Sequence, residues 1–163
     1  MSVRFAEKTQ IVPIFAPAAS TAASAETAFI ALENAQWVTF LVMAGAMTSD
    51  STDVLTITVV SAAAQTTATG DTCIPFNYRL SSAVAVDSWG AITAGTTAGY
   101  SITATDDNKA LLIDVDPAGV QAYDSDALYL YLDFGTPNIV TGYASAVAFI
   151  EPRYPQNSQL SSS

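Results

Sequence analysis

The sequence has no histidine, a single cysteine and only five basic residues among its 163. Each shortage removes a class of chemistry. Without an imidazole, none of the many Ser and Thr hydroxyls has the usual base beside it, and a catalytic thiol has no partner. Cys73 alone can form neither an internal disulfide nor a cysteine metal cluster, and it reads as a small buried residue ahead of a strand. Lys8 and Lys109 are the only lysines, and no Gly-rich phosphate loop accompanies either. A G-x-S-x-G elbow is also missing. The carboxylate spacing does not favour a two-acid glycosidase. The expectation is therefore a protein that is not an enzyme and takes no cofactor.

The shortage of Lys and Arg, set against fifteen acidic residues, gives a net charge of −10. A nucleic-acid binder needs cations to displace counterions from phosphate, so DNA and RNA are poor partners. Long apolar runs are missing as well. A membrane helix needs roughly 20 consecutive apolar residues. The oiliest stretch, Trp37–Met47, is shorter than that and runs into Asp50 and Asp53. The N-terminus carries Arg4, Glu7 and Lys8, and Pro13 and Pro17 interrupt the apolar stretch after them, which is not a signal-peptide core. No export signal and no membrane anchor are expected.

What the chain does have is oil without charge: half of it is apolar and 12% is charged. Such a composition suits a surface that is covered by other subunits. Its length suits one domain with a sizeable core. Period-two alternation of apolar and polar residues marks strands at Ile11–Phe15, Ala28–Leu32, Trp37–Met43, Val54–Ser61, Ile74–Leu80, Tyr100–Ala104, Ala110–Val115, Leu128–Phe134 and Ala144–Glu151. Trp37–Met43 is apolar on both faces, as in a strand covered on both sides. It and Val54–Ser61 read as a hairpin across the loop between them, and Asp106-Asp107-Asn108 reads as a second hairpin turn. Ala16–Ala28 reads as a loop. One helical turn is expected near Pro117–Ala122, capped by Asp116 with Pro117 in the first position.

The fold class implied is all-β: an antiparallel β-sandwich, jelly-roll-like or Greek-key, with at most one short helical turn. Residues 1–27 form an N-terminal arm with the first strand, 28–155 the sandwich, and 156–163 a flexible tail.

Candidate sites are few. Asp114, Asp116, Asp124 and Asp126 sit in DVDPAGVQAYDSD, two Asp-x-Asp pairs around a turn. Hard cations take such carboxylates, which makes the four weak calcium candidates, but the run lacks the EF-hand pattern and Asp favours turns by itself. In Leu128–Leu132, leucines alternate with Tyr129 and Tyr131, which suits leucines in the core and tyrosines under a loop or against a neighbour. Glu151-Pro152-Arg153-Tyr154-Pro155 is a stiff extended exit that either ends the last strand or docks outward. The residues expected to meet neighbours are Phe5, Ile11, Phe15, Tyr129, Tyr131, Arg153 and Tyr154.

In order along the chain, MSVRFAEKTQIV, LENAQWVTFLVMAG, ALLIDVDPAGV, ALYLYLDF and AVAFIEPRYP resemble head decoration, or cement, proteins. These are small structural proteins that accompany the major capsid protein of tailed bacteriophages. The segment Ala62–Ala98 carries none of the resemblance. The resemblance implies a β-rich virion component on the outer capsid surface that bridges capsomers. It implies assembly in the host cytoplasm, with the major capsid protein and further copies of itself as partners. The other function the residues allow is a carbohydrate- or calcium-binding β-sandwich on a phage fibre, tail or cell surface, with Trp89, Tyr100 and Tyr123 at its site.

Overall fold

The alternating pattern resolves into two facing sheets whose inner side chains form one core. The structure, a computed structural model, describes residues 5–19, 25–46, 54–66, 70–83, 87–106, 108–135 and 143–154. Its strands are β1 (Gln10–Ala19), β2 (Ala25–Glu26), β3 (Ile30–Ala31), β4 (Ala35–Ala44), β5 (Val54–Ala62), β6 (Thr72–Ile74), β7 (Asn77–Leu80), β8 (Thr93–Ala94), β9 (Tyr100–Thr103), β10 (Ala110–Val115), β11 (Tyr129–Phe134) and β12 (Tyr143–Pro152). Two short helices, α1 (Phe5–Lys8) and α2 (Pro117–Tyr123), complete the set with a 3-10 turn at Ala104–Asp106. Among the described residues, no helix is long and apolar enough to cross a membrane.

The first sheet runs β1-β12-β4-β10-β7-β8. The second runs β2-β11-β5-β6, with β3 also on β11 and β9 also on β5. The chain crosses between sheets at most of its connections, which is the jelly-roll order. One position is shared: β6 pairs with the end of β5 (Val59–Ser61) and β9 with its start (Val54–Ile57). Between those two half-strands the chain leaves for the first sheet and lays down β7 beside β10 and β8 beside β7.

The core forms where the inner faces meet. Val38, Phe40 and Val42 of β4, Leu111 and Ile113 of β10, Leu55, Ile57 and Val59 of β5, and Leu130 and Leu132 of β11 are all buried. Inside β12 three of the inward residues are small, Ala144, Ala146 and Ala148, and the fourth is Ile150. Phe15, paired in register with Ala146, packs its ring 5.0 Å from that of Phe134. Small side chains facing large ones in this way let the two inner faces interdigitate.

Several expectations are corrected. The hairpin of β4 and β5 does not form, because the two strands lie in different sheets and β4 pairs with β10 and β12. An apolar inner face on each strand satisfies a sandwich as well as a hairpin, and the long loop can cross the roughly 10 Å between sheets. The Asp106–Asn108 turn is likewise a corner, taking β9 in one sheet to β10 in the other; Asp107 lies outside the described residues. Asn108 turns there with φ 56°, which Asn tolerates. Asp106 braces the corner, accepting from Thr103 N, Thr103 Oγ1 and Tyr100 Oη, each at 3.2 Å, and pairing with Lys109 Nζ at 3.3 Å.

Ile74–Leu80 is two strands, split at Pro75–Phe76 where the chain changes sheet. Pro75 cannot donate to a ladder, so the break has a local cause. Parts of Ala16–Ala28 are strand: β1 continues to Ala19, and Ala25–Glu26 pairs with β11. The first strand is therefore a sheet member rather than part of a separate arm, pairing along β12 from Gln10 to Ala19. Cys73 is exposed, pointing out of β6 beside Val60. The tail at 156–163 lies outside the described residues. The helix near 117 forms as expected, with Ala118 N–H donating to Asp116 Oδ1 at 3.0 Å and Pro117 in the first turn.

Candidate interface

The outer face of the first sheet is apolar, and the ladder register shows how its side chains line up. One row across the strands is Pro13, Val147, Leu41, Leu112 and Arg79. The next is Ile11, Phe149, Thr39, Asp114, Asn77 and Ala94, from one edge of the sheet to the other. Met43 lies beyond the first row and Trp37 beyond the second, both exposed. α1 brings Phe5 over one corner, its ring 6.0 Å from that of Phe149. These residues alternate with core residues along every strand, so the pleat fixes their outward direction. Outward apolar side chains contiguous across strands differ from the scattered single exposures normal to soluble proteins.

The outer face of the second sheet is built differently. β5 turns out Thr56 and Thr58, and β9 turns out Ser101 and Thr103. Its apolar residues are covered from within the chain: Val60, Ala62 and Tyr131 are buried, with Phe29 4.8 Å from Tyr131 ring to ring and Tyr129 alongside. Tyr131 Oη donates to Asp71 Oδ2 at 3.1 Å. Burial first, and then the Asp71 carboxylate, push the ionisation of Tyr131 well above the ordinary tyrosine range. Tyr100 is likewise pushed up to about 12, by burial and then by Asp106. Asp133, opposite Glu26 in the ladder, has its carboxyl raised by burial first and by the Glu26 charge second.

The residues expected to meet neighbours divide accordingly. Phe5, Ile11 and Tyr154 are open, at 62%, 47% and 62% exposed. Phe5 and Ile11 belong to the apolar face just described. Arg153 is also exposed, and its N–H donates to Asn34 O at 2.7 Å, fixing the chain's exit from β12. Tyr129 is half-buried. Two are corrected. Phe15 turns inward onto Phe134, because bulges in β1 on either side of it shift the register. Tyr131 is 3% exposed beneath Phe29. Sequence reasoning missed Val147, Leu41, Leu112 and Phe149. The signal was there in part, since both faces of Trp37–Met43 are apolar.

The calcium candidates do not converge. Asp114 Oδ1 accepts from Thr39 Oγ1 at 2.7 Å, Asp116 caps α2, and Asp124 closes its other end. Asp124 Oδ2 also accepts from the fully buried Ser61 hydroxyl, tying α2 to β5. Among the described residues, no three His, Cys, Asp or Glu side chains are grouped so as to hold a metal. Four carboxylates so close in sequence are separated because α2 stands between the two pairs. Asp114 and Asp116 instead border a cleft of about 300 Å³ between the β6–β7 connection, β8 and α2. Tyr123 lines it, whereas Trp89 and Tyr100 do not.

The molecule so defined is a jelly-roll sandwich with one apolar outer face left largely uncovered among the described residues. No family model, no curated protein and no solved structure matches the chain.

Proposed function

We propose that this chain is a structural virion protein of a tailed bacteriophage, one that binds the outer surface of the capsid and bridges or stabilises capsomers. The observation that carries the reading is the apolar outer face of the first sheet, centred on Leu41 and Val147. An interface core of this kind is low in charge and rich in large apolar side chains. The net charge of −10 keeps copies apart elsewhere on the surface and is repelled by packaged DNA. A capsid repeats one local surface many times, so a small domain with one sticky face gains from multivalent attachment. Jelly rolls occur in capsid and in lectin domains alike, so the fold by itself does not choose between these roles. The resemblance of the sequence patches to head decoration proteins favours the capsid reading, with the major capsid protein and further copies of the chain as the partners it implies. In this reading the protein is not an enzyme and works without a cofactor.

The test is co-sedimentation of purified protein with empty heads. Binding that saturates at a fixed ratio to capsid protein, and that Leu41→Glu abolishes, supports the reading. Absence of the chain from the pellet at every concentration, in a protein that is folded, overturns it. The carbohydrate- or calcium-binding reading has less behind it, since its three aromatics are not gathered at one site and its carboxylates do not converge.

A further inference from the structure

The apolar face does not end where its apolar residues do. The row that begins at Ile11 and Phe149 continues through Thr39 to Asp114, Asn77 and Ala94. Those last three residues are walls of the cleft between β8 and α2. Its floor is the edge of the core, with Ile74, Phe76 and Val120 buried beneath it. Gly95 lies close on that floor: a Cβ there would stand 2.9 Å from the Phe76 ring. At the mouth are Asp116 and Tyr123, the latter 55% exposed. The lining among the described residues thus contains two carboxylates, an amide and two aromatic rings, Phe76 in the floor and Tyr123 at the mouth, and no basic side chain.

Asp114 and Asp116 each use Oδ1 within the chain, on Thr39 and on Ala118. Among the described residues, no hydrogen bond occupies their Oδ2 atoms. A cleft with an apolar floor and two carboxylates in its wall suits a cation on a hydrocarbon stem: the stem can lie against the floor while the charged head meets the acids. Tyr123 adds a ring face that a guanidinium or ammonium group can approach. An anion would be repelled, both by the two acids and by the chain's net charge.

We propose that this cleft receives a lysine or arginine side chain of the protein that covers the apolar face. The proposal rests on the reading of that face as a docking surface, and continuity of the row into the cleft chooses a protein side chain over a free cation. In such a complex the apolar rows supply contact area, and the inserted cation fixes the partner's position along the row. It also makes attachment sensitive to salt, because the pair sits where water reaches it.

Two measurements separate this proposal from the reading beneath it. The first needs no partner: amide NMR shifts of the isolated chain are followed while Nα-acetyl-arginine amide or Nα-acetyl-lysine amide is added. Saturable shifts at Asn77, Asp114, Asp116 and Gly119, with a dissociation constant on the order of 1 mM, are expected, and Asp114→Asn with Asp116→Asn should weaken them at least tenfold. Both substitutions keep an oxygen for Thr39 and Ala118, so the fold is retained. The proposal is overturned if the shifts fail to saturate, survive in the double variant, or are matched by a neutral methyl glycoside or by calcium. An equal response to putrescine supports the site's chemistry but overturns the choice of a protein side chain if the double variant then binds heads normally. The second measurement is head binding by that variant against salt. A several-fold weaker binding with a flatter salt dependence is expected, and binding unchanged in both respects overturns the proposal. Loss of head binding in Leu41→Glu together with an intact probe titration leaves the cleft standing, whereas an unaltered Leu41→Glu with a failed titration removes both.

Discussion

The two sheets bury equivalent inner faces and treat their outer faces in opposite ways. The second sheet covers its own oil, with Phe29 and Tyr129 closing over Val60, Ala62 and Tyr131, and it leaves hydroxyls on the rest of that face. The first sheet leaves Val147, Leu41, Leu112 and Phe149 only half covered and Ile11 and Met43 exposed. Strand propensity does not explain the difference, since both sheets are rich in β-branched and aromatic residues. Among the described residues, the chain shields an apolar patch with its own connections on the second sheet only, and it is this asymmetry that the proposed docking role rests on.

The contrast is tested most directly by exchanging the character of the two faces one residue at a time. Leu41→Glu, at the centre of the bare face, is expected to weaken self-association or head binding by about 30-fold or more, the scale of an interface hot spot. Its melting temperature should stay close to that of the parent, because the side chain points away from the core. Thr56→Glu, the matched change on the hydroxyl-bearing face, should leave binding unchanged. Sedimentation velocity and thermal melting of both variants decide the matter, and equal effects would erase the distinction between the faces.

A smaller effect tests how the second sheet holds together without a long edge strand. Thr27 is buried between β2 and β3, where its N–H donates to Leu132 O at 3.0 Å and its Oγ1 accepts from Leu132 N at 2.9 Å. The side chain thus supplies the rung that backbone pairing skips. Thr27→Val keeps the shape and removes the acceptor, at an expected cost of about 1–3 kcal/mol in denaturant unfolding. Thr27→Ser should recover most of that loss.

The smallest effect concerns acidity. Asp133 binds its proton more tightly in the folded chain than in the unfolded one, because burial and the facing Glu26 both oppose its charge. Its contribution to stability is therefore complete below the ordinary carboxylate range and is lost as pH rises through the raised value. Asp133→Asn removes that term. The stability difference between parent and variant should move in the parent's favour on acidification from pH 7 toward pH 4, read from paired denaturant curves. A difference that stays flat would mean the Asp133–Glu26 pair does not couple to folding.

How much of this was legible in the sequence depends on distance along the chain. Period-two alternation located Ala110–Val115 to the residue and β5 and β11 nearly so, because inward and outward are decided locally by the pleat. The same pattern is silent on which sheet a strand joins. That is why β4 with β5, and β9 with β10, read as hairpins although each pair straddles the core. The cap at Asp116 was legible because Asp, Pro and the following helical turn are contiguous. The cleft was not, because its walls come from residues near 75, 95, 115 and 120. Half of the bare face was announced by the two-sided oil of Trp37–Met43. The rest needed register, which places Val147 and Leu112 on either side of Leu41.

β1 carries a last consequence. It is the outermost strand beside β12, with Pro13 and Pro17 exposed along it and bulges interrupting its register. Proline offers no amide hydrogen to an arriving strand, and a bulged border is a poor template for one. Growth by stitching sheet to sheet into fibres is thereby discouraged at this margin. Any contact made through the neighbouring flank would have to form without a shared backbone ladder, the geometry that lets sheets extend without limit.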